Sequence, residues 1–411
     1  MQTMKYGLIG KSLAHSYSKA IHALLGNSEY ETLELQPDAV VPFLRKACFS
    51  GINVTIPYKQ TVMPLCLPDD AAKKIGCVNT VVNKNGNLYG YNTDYFGFSY
   101  MAKSAGIFFE GKKVLVLGSG ATSKTACRVA RDSGAGEIII VSRYGKDNYE
   151  NISLHADSDI LVNTTPVGMF PDNGHSPVSL NLFTKLYAVI DVIYNPLRTK
   201  LVLKAQERGI KTADGLSMLV AQALRSHKLF FGIEDNRQNE EAKIQEVLTK
   251  TRRLFLNIVL IGMPGSGKTS VGKKLAEMLG MDFIDTDRVI ESSTGRKASD
   301  IIRKDGEGFF RELESRVIAQ ETAKSRRVIA TGGGGVLAKE NRNALLQNGT
   351  VIFLERETEK LETQGRPLSL DLAAMYRQRQ PVYESLCHYK VKVDGSIEDT
   401  AKRVADCMRG V

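Results

Sequence analysis

Residues 257–279, NIVLIGMPGSGKTSVGKKLAEML, decide the fold of the carboxy-terminal part of this 411-residue chain. An apolar strand-like run, NIVLI, enters GMPGSGKT, Gly262 to Thr269, and a helix-like tract leaves it. Strand, glycine turn and helix in that order are the context a phosphate-binding loop requires. Gly262, Gly265 and Gly267 let the backbone N–H groups around Ser266 turn toward phosphates, and the helix N-terminus adds positive potential. Lys268 then reaches the β/γ-phosphates and Thr269 can ligate Mg²⁺. A chance glycine turn would not carry both flanks.

Working outward, FIDTD at 283–287 sets Asp285 and Asp287 two apart on an expected strand, hence on one face. One acid can hold magnesium water while the other faces an acceptor hydroxyl as hydrogen-bond partner or base. A solvated strand end explains these acids equally well when they are taken alone. GEGFFRELE at 306–314 places Arg311 and Glu314 three apart on a helical face, where a surface ion pair is the plainer reading. Arg311 also suits a carboxylate, because its planar fork binds one bidentately. TGGGGV at 331–336 follows the apolar run RRVIA and permits close backbone approach to a ligand.

Two more runs, Tyr6 to Gly10 and Lys113 to Gly118, open strand-turn-helix units of the same kind. Alternation of such runs with amphipathic stretches implies α/β folds with mostly parallel sheets. The length calls for two to four domains at ~100–200 residues each. The stretch 233–253, IEDNRQNEEAKIQEVLTKTRR, is dense in charge, lacks a wide apolar stripe and reads as a partly helical linker. The expected division is 1–100 as a substrate-binding lobe completed by 213–233, 101–212 as a dinucleotide-binding lobe, 234–254 as linker and 255–411 as a kinase domain.

Composition narrows the classes. With 43% hydrophobic and 24% charged residues, and no apolar run near ~20 residues, the chain reads as a cytoplasmic protein without a membrane span or leader. The six cysteines show no CxxC pair and read as reduced structural thiols. A net charge of +10 is interspersed with acids, which favours small anionic ligands over nucleic acid. The sequence leaves the oligomeric state open.

KKVLVLGSGATSKTACRVA at 112–130 has the form of a dinucleotide-binding turn, with Gly118 and Gly120 in place and Ser123 at the third glycine position. The next strand, EIIIVSRY, ends on Ser142 and Arg143 with no acid for a ribose hydroxyl. Arginine there favours the 2′-phosphate of NADP, although a solvent-facing strand terminus would look the same. Upstream, SLAHSYS, NVTIPYK and CVNTVVNKNGNLYGYNTD embed polar residues in apolar surroundings. Ser16, Ser18, Asn79, Lys59 and Asp94 are the groups a polyhydroxy acid would need. Lys59 beside Asp94 makes a proton-transfer pair for reducing a ketone, since hydride addition leaves an alkoxide needing a donor. Singly, Lys59 reads as a surface lysine, Asp94 as a turn or cap residue, and Ser16 and Ser18 as caps of a helix near Lys19.

The order GMPGSGKT, DTD, FFRELE, GGGG, GRPL, RQPVY resembles shikimate kinase from Asn257 onward. That resemblance implies that Asp287, Arg311, Gly333, Gly334 and Arg379 hold shikimate, that Asp285 positions Mg²⁺, and that Arg366 is a lid arginine on the phosphate transferred from ATP to the 3-hydroxyl. The stretch from Glu357 to Gly365 is a few residues short for the family's lid, which predicts weaker closure. The upstream motifs, with NTTPVGM at 163–169, DVIYNP at 191–196 and GLSMLVAQ at 215–222, resemble shikimate dehydrogenase over residues 4–232. The implied reaction is reduction of 3-dehydroshikimate with NADPH by Lys59 and Asp94. Ser16, Ser18, Thr55, Asn79, Tyr194 and Gln222 would line the substrate, and Thr164 and Gly215 would join the cofactor site. Retention of both serines of HSYS favours shikimate over quinate, while GSGATS and SRY depart from the family's cofactor motifs. Two alternatives stay open: a quinate/shikimate dehydrogenase joined to a related kinase, and a kinase-like domain that senses its metabolite without turnover.

Overall fold

The structure is a computed structural model that describes residues 4–234, 237–357 and 372–410. Two compact units emerge, Met1–Met169 with Ser176–Thr251 and Phe170–His175 with Arg252–Val411. All three strand-like runs form strands and each heads a sheet.

The first sheet holds β1 (Tyr6–Gly10), β2 (Tyr30–Glu34), β3 (Gly51–Val54), β4 (Leu67–Pro68), β5 (Thr80–Lys84) and β6 (Asn87–Tyr91) in the order β2-β1-β3-β5-β6-β4. It is mixed, because β5 runs antiparallel to β3 and β6. The reversal comes from Asn85-Gly86, both at positive φ, the tight hairpin turn that an Asn-Gly pair favours. The second sheet holds β7 (Lys113–Leu117), β8 (Glu137–Val141), β9 (Ile160–Asn163), β10 (Ala188–Asp191) and β11 (Lys211–Ala213), all parallel, in the order β11-β10-β9-β7-β8. The third holds β12 (Asn257–Ile261), β13 (Asp282–Asp285), β14 (Arg327–Ala330), β15 (Gly349–Glu355) and β16 (Tyr389–Lys392), also parallel, in the order β13-β14-β12-β15-β16.

The continuous apolar runs have a simple reason. In β7, Val114 and Val116 enter one core while Leu115 and Leu117 enter another, and in β12 Ile258 and Leu260 oppose Val259 and Ile261 in the same way. Period-two alternation with both faces covered leaves no polar side. In the first unit the helix Gly215–Phe231 returns to the first sheet and lies against the helix Thr93–Ser104. The packing is tight: a Cβ on Gly97 would stand 2.6 Å from the Met218 carbonyl oxygen. This return carries Gln222 and Ser226 to the polar cluster described below.

The charged stretch expected to be a partly helical linker is a continuous helix over Arg237–Phe255. It buries Ile244, Val247, Leu248 and Thr251, a narrow stripe at helical spacing that a search for a wide one passes over. Tyr100 donates to Glu241 at 2.7 Å and Lys228 to Glu240 at 2.7 Å, fixing the helix to the first unit. All six cysteines are free. Among the described residues no helix is long and apolar enough to cross a membrane.

Candidate active sites

In the first unit Lys59 and Asp94 are both buried, and the Lys59 ammonium donates to Asp94 Oδ2 at 2.5 Å. Asp94 stands in the first turn of the helix Thr93–Ser104, capped by Asn92, whose side chain accepts from the Tyr95 N–H. Its second oxygen accepts from Asn79 Nδ2 at 2.9 Å. The Asn79 amide reaches Gln222 Oε1 at 3.5 Å, and its carbonyl accepts the Thr93 N–H at 2.7 Å. Thr93 Oγ1 closes the ring on Gln222 Oε1 at 3.2 Å and Ser226 Oγ at 3.0 Å. The residue before β5, the helix Thr93–Ser104 and the helix Gly215–Phe231 therefore meet in one network of Lys59, Asp94, Asn79, Thr93 and Gln222. An ammonium held this way beside a carboxylate is oriented to pass a proton to a ligand oxygen.

Ser16 and Ser18 open the helix Ser18–Leu24, where the Ser18 N–H donates to Ser16 Oγ at 3.2 Å. Burial pushes the Tyr194 hydroxyl above its usual range, and nearby Ser16 acts against that shift. Thr55 lies one residue beyond β3, and its backbone N–H donates to the Ile9 carbonyl at 3.0 Å. Among the described residues no bond ties the Thr55 side chain to the Lys59 network.

At the dinucleotide turn, Gly118 takes a positive φ of 103° and donates to the Val141 carbonyl at 2.8 Å, tying the turn to the end of β8. Gly120 precedes the helix Ala121–Asp132, and a Cβ there would meet nothing within 4 Å. Ser123 faces the protein interior rather than the turn. Thr164 donates to the Leu117 carbonyl at 2.6 Å beneath Gly118, while Ser142 begins the tight turn that follows β8. Arg143 is exposed and stacks its guanidinium 5.9 Å from the ring centroid of the equally exposed Tyr144. The open turn, helix N-terminus and free-standing cation fit a dinucleotide with an extra phosphate. Gly215 has another reason to be glycine, since a Cβ there would lie 2.1 Å from the Val192 carbonyl oxygen.

In the second unit, Gly262, Gly265 and Gly267 all take positive φ, and a buried Ser266 sits between them. The buried Lys268 ammonium donates to the Gly262 and Met263 carbonyls at 2.9 Å each. Thr269 donates to Asp285 Oδ2 at 2.7 Å. Hydroxyl and carboxylate oxygens this close are hard donors suited to Mg²⁺, which characteristically takes one or two protein oxygens and fills the rest with phosphate and water. A cavity of about 780 Å³ extends from this loop past Asp287, Arg311, Glu314, Gly332, Gly333, Gly334 and Arg379.

The expected placing of Asp287 on a strand is corrected. Strand β13 stops at Asp285, which caps the helix Thr286–Thr294 by accepting the Arg288 N–H, so Asp287 stands in that helix's first turn. Burial, then Glu314 and Asp285, raise its carboxyl to about 6 against the pull of Lys268. The Arg311/Glu314 pair forms at 2.8 Å, yet Glu314 is 1% exposed and so is no surface ion pair. Asp287 Oδ1 and Glu314 Oε1 are buried with no hydrogen-bond partner among the described residues, as is Arg379 Nε. Arg366 and most of the stretch 357–365 lie outside the described residues.

Sequence reasoning passed over three contributors. Thr286 accepts the Gly332 N–H at 2.9 Å, Tyr383 donates to the Gly333 carbonyl at 2.6 Å, and Arg356 donates to the Gly265 carbonyl at 3.3 Å. Thr286 and Tyr383 stand inside DTD and RQPVY, so their motifs held the signal; Arg356 stands in none.

The shikimate dehydrogenase substrate binding domain matches residues 8–81, and shikimate kinase matches residues 264–409. The NADP(+) shikimate dehydrogenase of Clostridium perfringens strain 13 is 36% identical over 264 residues, covering 59% of this chain and 97% of that one. This chain belongs to the shikimate dehydrogenase family. Shikimate dehydrogenase 1 of Peptoclostridium difficile superposes with a TM-score of 0.56 at 34% identity, over 60% of this chain and 98% of its own. The Thermus thermophilus enzyme, solved with NADP(H) and shikimate, gives 0.53 at 28% identity, over 59% and 99%. Behind the shikimate dehydrogenase the chain carries a shikimate kinase P-loop domain, so oxidoreductase and phosphotransferase share one polypeptide.

Proposed function

We propose that the chain reduces 3-dehydroshikimate to shikimate with NADPH and then phosphorylates the shikimate 3-hydroxyl with ATP and Mg²⁺, two consecutive steps toward chorismate carried out in the cytoplasm. The division into 1–100 with 213–233, 101–212, 234–254 and 255–411 goes with this reading. The observation that carries it is the buried Lys59–Asp94 pair, bonded to Asn79 and through it to Gln222.

In the first reaction the bound cofactor supplies the hydride. Lys59 donates the proton to the carbonyl oxygen as it becomes an alkoxide, and Asp94 keeps the ammonium oriented until then. Ser16, Ser18, Thr55, Asn79, Tyr194 and Gln222 take the ring's carboxylate and hydroxyls. Gly118, Gly120 and Thr164 shape the dinucleotide turn, with Ser123 buried behind it and Gly215 packed near it, and Ser142 and Arg143 face the 2′-phosphate.

In the second reaction Lys268 and the amides of Gly262 to Thr269 hold the nucleotide's phosphates, while Thr269 and Asp285 hold the metal ion, which neutralises phosphate charge. Arg311 and Arg379 take the acceptor's carboxylate, Gly333 and Gly334 let its ring approach the backbone, and Asp287 accepts the proton of the attacking hydroxyl. Arg366 is assigned to the transferring phosphate.

The test is to supply 3-dehydroshikimate, NADPH and Mg-ATP together and identify the product. Shikimate 3-phosphate is expected; preference for quinate or gluconate as substrates, or binding of ATP and shikimate with no ADP formed, would sink the reading.

A further inference from the structure

We propose that Arg356 is a phosphate ligand of the kinase cavity, a second fixed cation that works with Lys268 on the terminal phosphates of ATP. This rests on the kinase reading above.

The position follows from the sheet. Arg356 is the first residue beyond β15, which pairs with β12 in parallel register, Ile261 opposite Phe353. The chain therefore leaves β15 beside the place where β12 turns into the phosphate-binding loop. The approach is close, since a Cβ on Gly262 would stand 2.6 Å from the Leu354 carbonyl oxygen. From there the Arg356 side chain reaches the far side of the loop, where Nη1 donates to the Gly265 carbonyl at 3.3 Å. It lines the same cavity as Lys268, Thr269 and Asp285.

The chemistry says what is missing. A guanidinium presents five N–H donors, and here Nε is buried without a partner among the described residues. No carboxylate among the described residues forms an ion pair with Arg356. A long bond to one carbonyl leaves such a cation under-satisfied, whereas two phosphate oxygens would match its planar fork. The cavity also needs the charge. Asp285 and Asp394 line it, so a triphosphate entering there meets carboxylates as well as Lys268. An arginine fixed at a strand end supplies positive potential where charge develops during phosphoryl transfer, with no segment having to close over it.

The rival role is a plain tether holding the loop to β15. Titrating the full-length chain with ATP, ADP and AMP separates the two, because AMP lacks the terminal phosphates. Arg356→Ala is expected to weaken ATP binding tenfold or more and ADP binding to a similar or smaller degree. AMP affinity and the KM for shikimate should stay within twofold, and Arg356→Lys should recover part of the loss. Equal weakening of ATP and AMP, or no change for ATP, would overturn the proposal and leave Arg356 a tether. If the unsubstituted chain neither binds ATP nor forms ADP with shikimate, the kinase reading itself falls, and this proposal with it.

Discussion

The two polar clusters differ in what they leave unfinished. Around Lys59 the chain satisfies itself: Asp94 uses one oxygen for the ammonium and the other for Asn79, and Asn79 is held by Thr93. In the kinase cavity Asp287 Oδ1, Glu314 Oε1 and Arg379 Nε are buried with no hydrogen-bond partner among the described residues. The first site is preorganised by its own residues, so a ligand meets a finished arrangement. The second holds polar atoms whose desolvation cost a ligand's hydroxyls and carboxylate would relieve. Substitutions should accordingly strike turnover in the first site and ligand binding as well as turnover in the second.

The largest effect expected from that contrast is catalytic. Lys59→Ala should lower dehydrogenase turnover by ~10²–10⁴-fold, the range for loss of a positioned general acid, with kinase activity unchanged. Lys268→Ala should do the reverse. Separate assays of the two activities on each variant decide it, and loss of both from either change would mean that the two sites are not independent.

The unfinished site can next be broken through its backbone. A Cβ on Gly332 would stand 2.5 Å from Glu314 Oε1 and 2.7 Å from Asp287 Oδ1, so Gly332→Ala must push both carboxylates aside. A displacement near 1 Å at reacting groups costs roughly 10²-fold, and kcat/KM for shikimate phosphorylation should fall by about that much. Dehydrogenase kinetics serve as the internal control. Normal phosphorylation by this variant would show that the two carboxylates are not needed where they stand.

Acid should act with opposite signs on one buried group in each unit. His22, fully buried and stacked on Tyr30 at 3.8 Å, is pushed down to about 3 from 6.5, first by burial and then by His227. The unfolded chain then binds the proton more readily, so the contribution of His22 to the first unit's stability is full above pH 6.5 and is lost as pH falls toward 3. At pH 4.5 this group alone accounts for about 2–3 kcal/mol. Asp287 has the opposite sign: with its carboxyl raised to about 6, the folded state holds the proton more tightly, and falling pH relieves the second unit between 6 and 3.8. Peptide-resolved hydrogen exchange at pH 7 and 4.5 would read both. His22→Phe should flatten the first unit's acid loss and Asp287→Asn should remove the second unit's relief; identical profiles with and without either substitution would refute its assignment.

What the sequence made legible was local. Strand, glycine turn and helix are contiguous at Gly118 and at Gly262, so spacing alone carried the phosphate loop and the dinucleotide turn. Lys59 and Asp94 are 35 residues apart; their chemistry suggested a proton-transfer pair, and the family resemblance fixed it, since no local pattern reveals a bond of that span. The antiparallel β5–β6 pair was legible in the Asn85-Gly86 turn but was passed over, because the strands' own residues do not state their pairing direction. Asp287 was misplaced because Asp285 both ends a strand and caps a helix, and period two continued one residue too far. Glu314 looked like a surface partner because an i,i+3 pair reads the same whether the face is wet or buried. Tyr383 lay inside the RQPVY motif but its bond to Gly333, spanning 50 residues, was not legible there, and Arg356, whose contact spans 91 residues, stood in no motif.

That blind spot supplies the smallest and sharpest test of the contrast. Tyr383 is fully buried in the helix Leu372–Leu386, and its hydroxyl donates to the carbonyl of Gly333, one of the glycines facing the cavity. Tyr383→Phe keeps the ring and its packing against Phe353 at 5.1 Å between centroids, and removes one hydrogen bond. The loss is worth about 1 kcal/mol, or several-fold in an equilibrium constant. If the glycine backbone needs that anchor to receive the acceptor, the KM for shikimate should rise about three- to tenfold, with kcat and the KM for ATP little changed. If the cavity is instead as finished as the Lys59 cluster, the same substitution will lower thermal stability slightly and leave the KM for shikimate where it was, and the division between a completed and an uncompleted site would have to be given up.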